Sequence, residues 1–159
     1  MRIQLKLKAF RSDLLTAHYN YPFNAVVYKL LNIGSPEFTE FLHSKGYKYK
    51  GKIYKLFTYS LRFEKIRMEP DSIRLLSPNV YLIISSPIDD EFFKNFILGT
   101  FSTKIIDIKY DGFETKLEPI EIEEQPIPDF STLHRFKMLS PLILSSLDTN
   151  EEMNKQHYL

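Results

Sequence analysis

The sequence predicts an α+β fold of the ferredoxin-like kind, a βαββαβ run whose antiparallel sheet carries its helices on one face. Three observations predict it. Strand-like and helix-like stretches follow one another as strand, helix pair, strand, strand, helix, strand. Each helix-like stretch shows an apolar stripe along one side, as a helix lying on a sheet requires. The first strand alternates apolar and basic residues, the pattern of a strand with one covered and one wet face. With 159 residues, 43% of them hydrophobic, the chain has material for one cored domain and the start of a second.

The elements read as follows. In residues 2–10, Ile3, Leu5, Leu7 and Ala9 face a core, and Arg2, Gln4, Lys6 and Lys8 face outward. A polar connection with His18, Tyr19 and Asn20 leads to a helix that has Pro22 in its first turn. Its stripe is Phe23, Val26, Val27, Leu30 and Leu31, and Gly34 stops it. A shorter helix over 36–44 has Ser35 as N-cap, Phe38, Phe41 and Leu42 as its buried side, and Gly46 as its end. Residues 55–68 read as one long strand, with Phe57, Tyr59, Leu61 and Phe63 on one face, and 79–86 as another. A helix over 87–99 begins with Asp89, Asp90 and Glu91 and buries Phe92, Phe93, Phe96 and Ile97. Strand sequence at 104–110 turns at Asp111-Gly112 and continues through 113–124. The first domain is thus 1–124, residues 125–131 form a linker, and 132–159 begin a second domain, with strand-like sequence at 133–144.

Composition narrows the function. There is no cysteine, which removes disulfides, thiolate metal sites and cysteine nucleophiles. The net charge is only +1, so any grip on nucleic acid must come from a local patch. No apolar block marks a signal peptide or membrane span, and a cytoplasmic protein is the expectation. No histidine pair has metal-ligand spacing, and neither a P-loop nor a dinucleotide glycine fingerprint is present, so no cofactor is expected.

The local patch is the stretch 43–60, HSKGYKYKGKIYKLFTYS. It interleaves Lys45, Lys48, Lys50 and Lys52 with Tyr47, Tyr49 and Tyr54 and contains no acidic residue. Lysines pair with phosphates and tyrosine rings stack on bases, which suits a flexible single-stranded polyanion. The plainer reading is a solvated lysine-rich loop. Around it, Tyr28 lies off the stripe of its helix. His43 lies about 140° round from Phe38, also off the core side, and Lys55 opens the next strand. A flank tyrosine, a surface histidine and an edge lysine each have ordinary structural uses. Converging at one edge, they hold what transesterification of RNA without a metal needs: groups to take and give a proton, and a cation against the developing charge.

Three segments carry a resemblance. YNYPFNAVVYKLL (19–31), SPEFTEFLHSKG (35–46) and YKLFTYSLRF (54–63) resemble the N-terminal half of the CRISPR-associated repeat-RNA-processing endoribonucleases of the RAMP superfamily. SPLILSS, from Ser140, resembles the opening of that family's second half. The resemblance implies two tandem ferredoxin-like domains and metal-independent cleavage of CRISPR repeat RNA. The 2′-hydroxyl attacks, leaving a 2′,3′-cyclic phosphate. It places the family's catalytic histidine on His43, its tyrosine on Tyr28 and its lysine on Lys55, with Lys52 a close substitute. His43 is then the general acid or base, Tyr28 the base or the group that positions the 2′-hydroxyl, and Lys55 the cation at the transition state. The family's glycine-rich RNA-holding loop has no counterpart among five unclustered glycines, so the sequence reads as a fragment or a truncated relative.

Two other functions stay open: a RAMP-type module that holds repeat RNA without cutting it, and a ferredoxin-like domain for a small ligand or a protein partner. The partners expected are repeat RNA, other CRISPR-associated proteins and, through unpaired strand residues Leu142, Ile143 and Leu144, a second copy in a homodimer.

Overall fold

The computed structural model describes residues 1–10, 13–87, 90–126, 145–147 and 156–158. Strand β1 (Arg2–Phe10) is central because both of its edges find partners. It pairs antiparallel with β8 (Asn79–Ser85) on one side and with β10 (Phe113–Glu124) on the other. Strands β5 (Thr58–Phe63) and β9 (Ile106–Tyr110) extend the sheet to the order β5-β8-β1-β10-β9. Without β9 this is the ferredoxin-like order, and β9 is an added edge strand joined to β10 by the expected hairpin. Its turn residues Asp111 and Gly112 both have positive φ, 52° and 79°, as the twist of a two-residue hairpin demands. Between Lys6 and Leu7 the register with β10 slips past one residue. There Pro119, which has no N–H to give a ladder, sits beside the unpaired Ile120.

The alternation of β1 places Ile3, Leu5, Leu7 and Ala9 in the core, where Val80, Leu82, Ile84, Ile106, Ile108 and Leu117 join them. Helices α1 (Asn20–Gly34) and α3 (Asp90–Phe101) contribute the other half of that core. α1 buries the expected stripe, with Pro22 added. The helices cross in close contact: a methyl group on Gly34 would overlap the Asn95 carbonyl oxygen, and one on Gly99 that of Leu30. Phe92 is the hub of an aromatic cluster, with ring centroids 5.2 Å from Phe57, 5.3 Å from Phe93, 6.3 Å from Phe96 and 6.4 Å from Phe38.

Ser35 links two helices. Its N–H closes the end of α1 on the Leu31 carbonyl at 2.8 Å. Its hydroxyl accepts from the Phe38 N–H at 3.1 Å to start α2 (Pro36–Glu40), a cap worth about 1 kcal/mol. The helix then widens into one π turn, Phe41–Lys45, which ends at Gly46 with φ 56°. The expected α-helical run to residue 44 is corrected to that extent.

Three further corrections follow. Residues 55–68 do not form one strand: Leu56, with φ 53°, separates β4 (Lys52–Tyr54) from β5, and a bend at Glu64 and Lys65 separates β5 from β6 (Ile66–Met68). The lysine–tyrosine stretch is not a loop, because β3 (Tyr47–Tyr49) and β4 pair as a hairpin. A second small sheet, β2-β7-β6, was not foreseen. It is made from β2 (Leu14–Thr16), β7 (Ser72–Leu75) and β6, with the Arg74 guanidinium bridging Asp13 at 2.8 Å and Glu69 at 2.7 Å.

The chain separates into two compact units, Met1–Ile127 and Pro128–Leu159. Of the second, β11 (Ser145–Leu147) and β12 (Gln156–Tyr158) are described and pair antiparallel. The strand expected at 133–144, most of the linker expected at 125–131, and Asp89 at the start of α3 lie outside the described residues.

Candidate active site

Tyr28 leaves α1 beside the buried Val27 and is half-buried itself. Its ring meets the edge of His43 with centroids 6.3 Å apart and an interplanar angle of 78°. On its other side it meets Phe57 at 5.8 Å and 74°. Phe57 rests in turn on Phe92. A chain of rings therefore runs from the exposed imidazole of His43 into the core and fixes where the tyrosine can lie. Burial holds the Tyr28 phenol above its ordinary pKa, so it is protonated at neutral pH.

His43 belongs to the π turn, whose extra residue per turn sets where the imidazole emerges. Its side chain is exposed. Lys55 reaches the same turn from beyond the hairpin. Its ammonium donates to the Leu42 carbonyl and, at 2.6 Å, to that of His43. The structure thus brings Tyr28, His43 and Lys55 together. Beside Lys55 runs a groove of about 550 Å³ lined by Tyr54, Lys55, Leu56, Phe57, Thr58, Ser85, Ser86 and Pro87.

The basic stretch is sorted by its hairpin. The tip, Lys50 and Gly51, has positive φ at both positions, 46° and 76°. The pairs Tyr47↔Tyr54 and Tyr49↔Lys52 put three tyrosines and Lys52 on one face, and Lys48 and Ile53 on the other. Sequence order interleaves lysine and tyrosine, whereas the pleat separates most of them. Tyr49 is 64% exposed, with the Lys50 ammonium 5.4 Å from its ring centre. Tyr54 is also exposed. Tyr47 differs: it is half-buried and its ring stands edge-on to Phe41 at 5.2 Å, which anchors the base of the hairpin. Burial, with a smaller contribution from Glu91, raises its phenol pKa. Lys45, at the end of the π turn, is exposed. The expected RNA-facing set therefore divides into an accessible group (Lys45, Lys48, Tyr49, Lys50, Lys52, Tyr54) and one packing residue, Tyr47.

Sequence reasoning missed the part played by Phe57, whose parity marked it only as a core-facing residue, and the π turn itself. Among the described residues no group of three or more His, Asp or Glu side chains is placed to hold a metal ion. No described helix is long and apolar enough to cross a membrane.

Three solved structures resemble this fold over the whole chain. One is described as "CRISPR associated protein Cas6" (24% identity, TM-score 0.65, 62% of that chain covered). A second is "An RAMP protein binding different RNA substrates" (21%, 0.71, 62%). The third comes from work described as "Characterization of a Cas6-related gene from Pyrococcus furiosus" (21%, 0.74, 61%). At these identities the likeness establishes the fold, and the chain spans about three-fifths of each of those proteins. No curated protein sequence matches. Residues 15–116 match the family model Cas6_I-A, "CRISPR-associated protein Cas6, N-terminal", and they include Tyr28, His43, Lys55 and the whole basic hairpin; the chain belongs to that family.

Proposed function

We propose that this chain carries the acid–base site of a metal-independent endoribonuclease that cuts CRISPR repeat transcripts. The observation that carries the reading is the meeting of Tyr28, His43 and Lys55 next to an exposed lysine–tyrosine hairpin, in a member of the Cas6 family. Imidazole is the side chain suited to exchanging protons near neutrality. His43 takes the proton of the 2′-hydroxyl, the 2′-oxygen bonds to phosphorus, and the bond from phosphorus to the 5′-oxygen breaks. Tyr28, expected from the resemblance as base or positioning group, is instead kept protonated by its burial and gives its proton to the departing 5′-oxygen. His43 then returns the first proton to the tyrosine, and the products are a 2′,3′-cyclic phosphate and a free 5′-hydroxyl. DNA, lacking the 2′-hydroxyl, is inert to this chemistry.

The test is incubation of the chain with the repeat RNA of its own genome in EDTA, beside a substrate with one deoxyribose at the cut. Discrete cleavage of the first and none of the second is expected. Cleavage that chelation abolishes would exclude the mechanism. Binding without cleavage would favour a second reading, a RAMP module that holds repeat RNA. That reading draws on the chain spanning only about three-fifths of its structural neighbours, one of which is described as binding different RNA substrates. A protein that neither binds nor cleaves would leave the small-ligand or protein-partner domain.

Both RNA readings place phosphates on the hairpin. Replacing Lys48, Lys50 and Lys52 together by alanine is expected to weaken RNA binding and flatten the slope of log K against log salt by about 2, roughly 0.7 for each single-strand phosphate that a lysine ceases to neutralise. An unchanged slope would remove the hairpin from the interface. Soluble residence in the cytoplasm, association with other CRISPR-associated proteins and pairing with a second copy belong to the same proposal.

A further inference from the structure

We propose that two copies of this chain join through the outer edge of β9, Asp107 of each lying opposite Lys109 of the other. The inference is independent of the ribonuclease reading. It also concerns a different edge from Leu142, Ile143 and Leu144, which lie outside the described residues. Among the described residues no strand pairs with the outer side of β9, which ends the five-stranded sheet. The hairpin settles which backbone groups that side presents. A two-residue turn closes on a hydrogen-bonded pair, here Tyr110↔Phe113. Bonded and non-bonded pairs alternate along an antiparallel ladder, so Ile106, Ile108 and Tyr110 turn their N–H and C=O groups toward β10. Asp107 and Lys109 turn theirs outward, as the kind of edge that templates another strand.

The side chains choose the partner and the register. A second β9 running antiparallel must bring outward-directed residues opposite one another. That allows Asp107 against Asp107, Lys109 against Lys109, or Asp107 against Lys109. The first two set like charges face to face, which is unfavourable, whereas the third sets unlike charges together on both sides of a two-fold axis through Ile108. On the helix-covered face it matches Ile106 with Tyr110, a favourable β-branched and aromatic pair. Within one copy the Lys109 ammonium lies 3.7 Å from Asp107 and 3.6 Å from Glu114, with Lys109 65% and Asp107 36% exposed, so both side chains can turn to a partner. Helix α1 does not close the edge. It borders β9 along a groove of about 150 Å³ whose helical side is Tyr21, Pro22, Ala25, Val26 and Lys29, and Ala25 there is small and exposed. The opposite edge of the sheet is β5, beside the groove next to Lys55. A dimer built at β9 therefore leaves both candidate active sites uncovered, at the two far ends of one continuous sheet.

The experiment is sedimentation of the RNA-free chain at low salt, over concentrations up to roughly 1 mM, the weak end of measurable association. Wild type is expected to dimerise within that range. Lys109→Asp and Asp107→Lys should each weaken the dimer roughly thirtyfold, because two attractive pairs become repulsive, and an equimolar mixture of the two variants should restore it. Lys109→Pro removes an N–H that the monomer's own ladder does not use, so it should leave only monomer with thermal unfolding close to wild type. Disulfide formation reads the register. The chain has no cysteine, and Asp107→Cys mixed with Lys109→Cys should crosslink under mild oxidation, across about 5.5 Å between Cα atoms. Neither variant alone should, because its matching cysteines sit diagonally, about 7–8 Å apart. A wild type that stays monomeric overturns the proposal. So does a dimer that Lys109→Pro leaves intact, which would put the contact on another surface, or a charge-swapped mixture no stronger than its components. Should Lys109→Pro unfold, the charge swap and the disulfides decide by themselves.

Discussion

Alanine in place of His43 is expected to slow cleavage of repeat RNA about a thousandfold, within the range that one general acid–base group supplies. Stability should change by no more than about 0.5 kcal/mol, as for a surface substitution. The two halves of that expectation come from one observation. The imidazole is exposed, and its described ring contact is an edge against Tyr28, so removing it opens no cavity. The backbone around it is held independently, by the Gly46 N–H on the Phe41 carbonyl at 2.7 Å and by the Lys55 ammonium. The turn therefore keeps its shape without the ring. Single-turnover cleavage and thermal unfolding, measured side by side, check both halves. Full activity in the alanine protein would take His43 out of the mechanism. A large fall in unfolding temperature would make the loss of rate uninterpretable as chemistry, and Gln, closer in size and unable to carry a proton at neutral pH, would then replace alanine.

Phe92→Ala is expected to cost about 4 kcal/mol, in the range for a fully buried aromatic ring. That is a large share of the roughly 5–15 kcal/mol that a domain has. Phe92 is 2% exposed and touches Phe38, Phe57, Phe93 and Phe96, which come from α2, the segment before β5, and α3 itself. Those rings belong to three different parts of the chain, so no single shift can fill the space they would face. Phe92→Leu, which leaves a smaller void, should cost less than about half as much. Urea unfolding of the three proteins, compared at constant slope, measures this. An alanine variant within about 1 kcal/mol of wild type would mean that the cluster collapses freely and is not the anchor described. Because Phe57 bridges Phe92 to Tyr28, the alanine variant should also lose cleavage at temperatures where it remains folded.

What could be read in advance was whatever repeats. The period of two in β1 and the stripes of α1 and α3 are written over nine to fifteen residues each, long enough for the pattern to exceed chance. Asp111-Gly112 announced its hairpin, and Ser35 its cap, through residue types that suit those positions. The features that escaped are short or set by distant partners. β2, β6 and β7 have three or four residues apiece, and β2 finds β7 across nearly sixty residues, Leu14 opposite Arg74. Lys50 in the tip and Leu56 beyond the hairpin hold positive φ without being glycine, so nothing in their identity signals a turn or a break. The site divides the same way. That Tyr28 and His43 leave their helices off the apolar side follows from helical angles. The 6.3 Å between their rings needs the packing of α1 against the segment after it. The grip of Lys55 on two carbonyls has no sequence signal at all.

The central place of β1 also governs when the molecule can fold. Of the strands in this sheet it is made first, and both of its neighbours are made much later, β8 beginning at Asn79 and β10 ending at Glu124, opposite Ile3. At about 5–20 residues per second of synthesis, Ile3, Leu5 and Leu7 wait on the order of ten seconds for cover. Contacts so distant along the chain also make for slow folding. Until β8 and β10 have been made, then, the apolar face of β1 has neither of its sheet neighbours beside it.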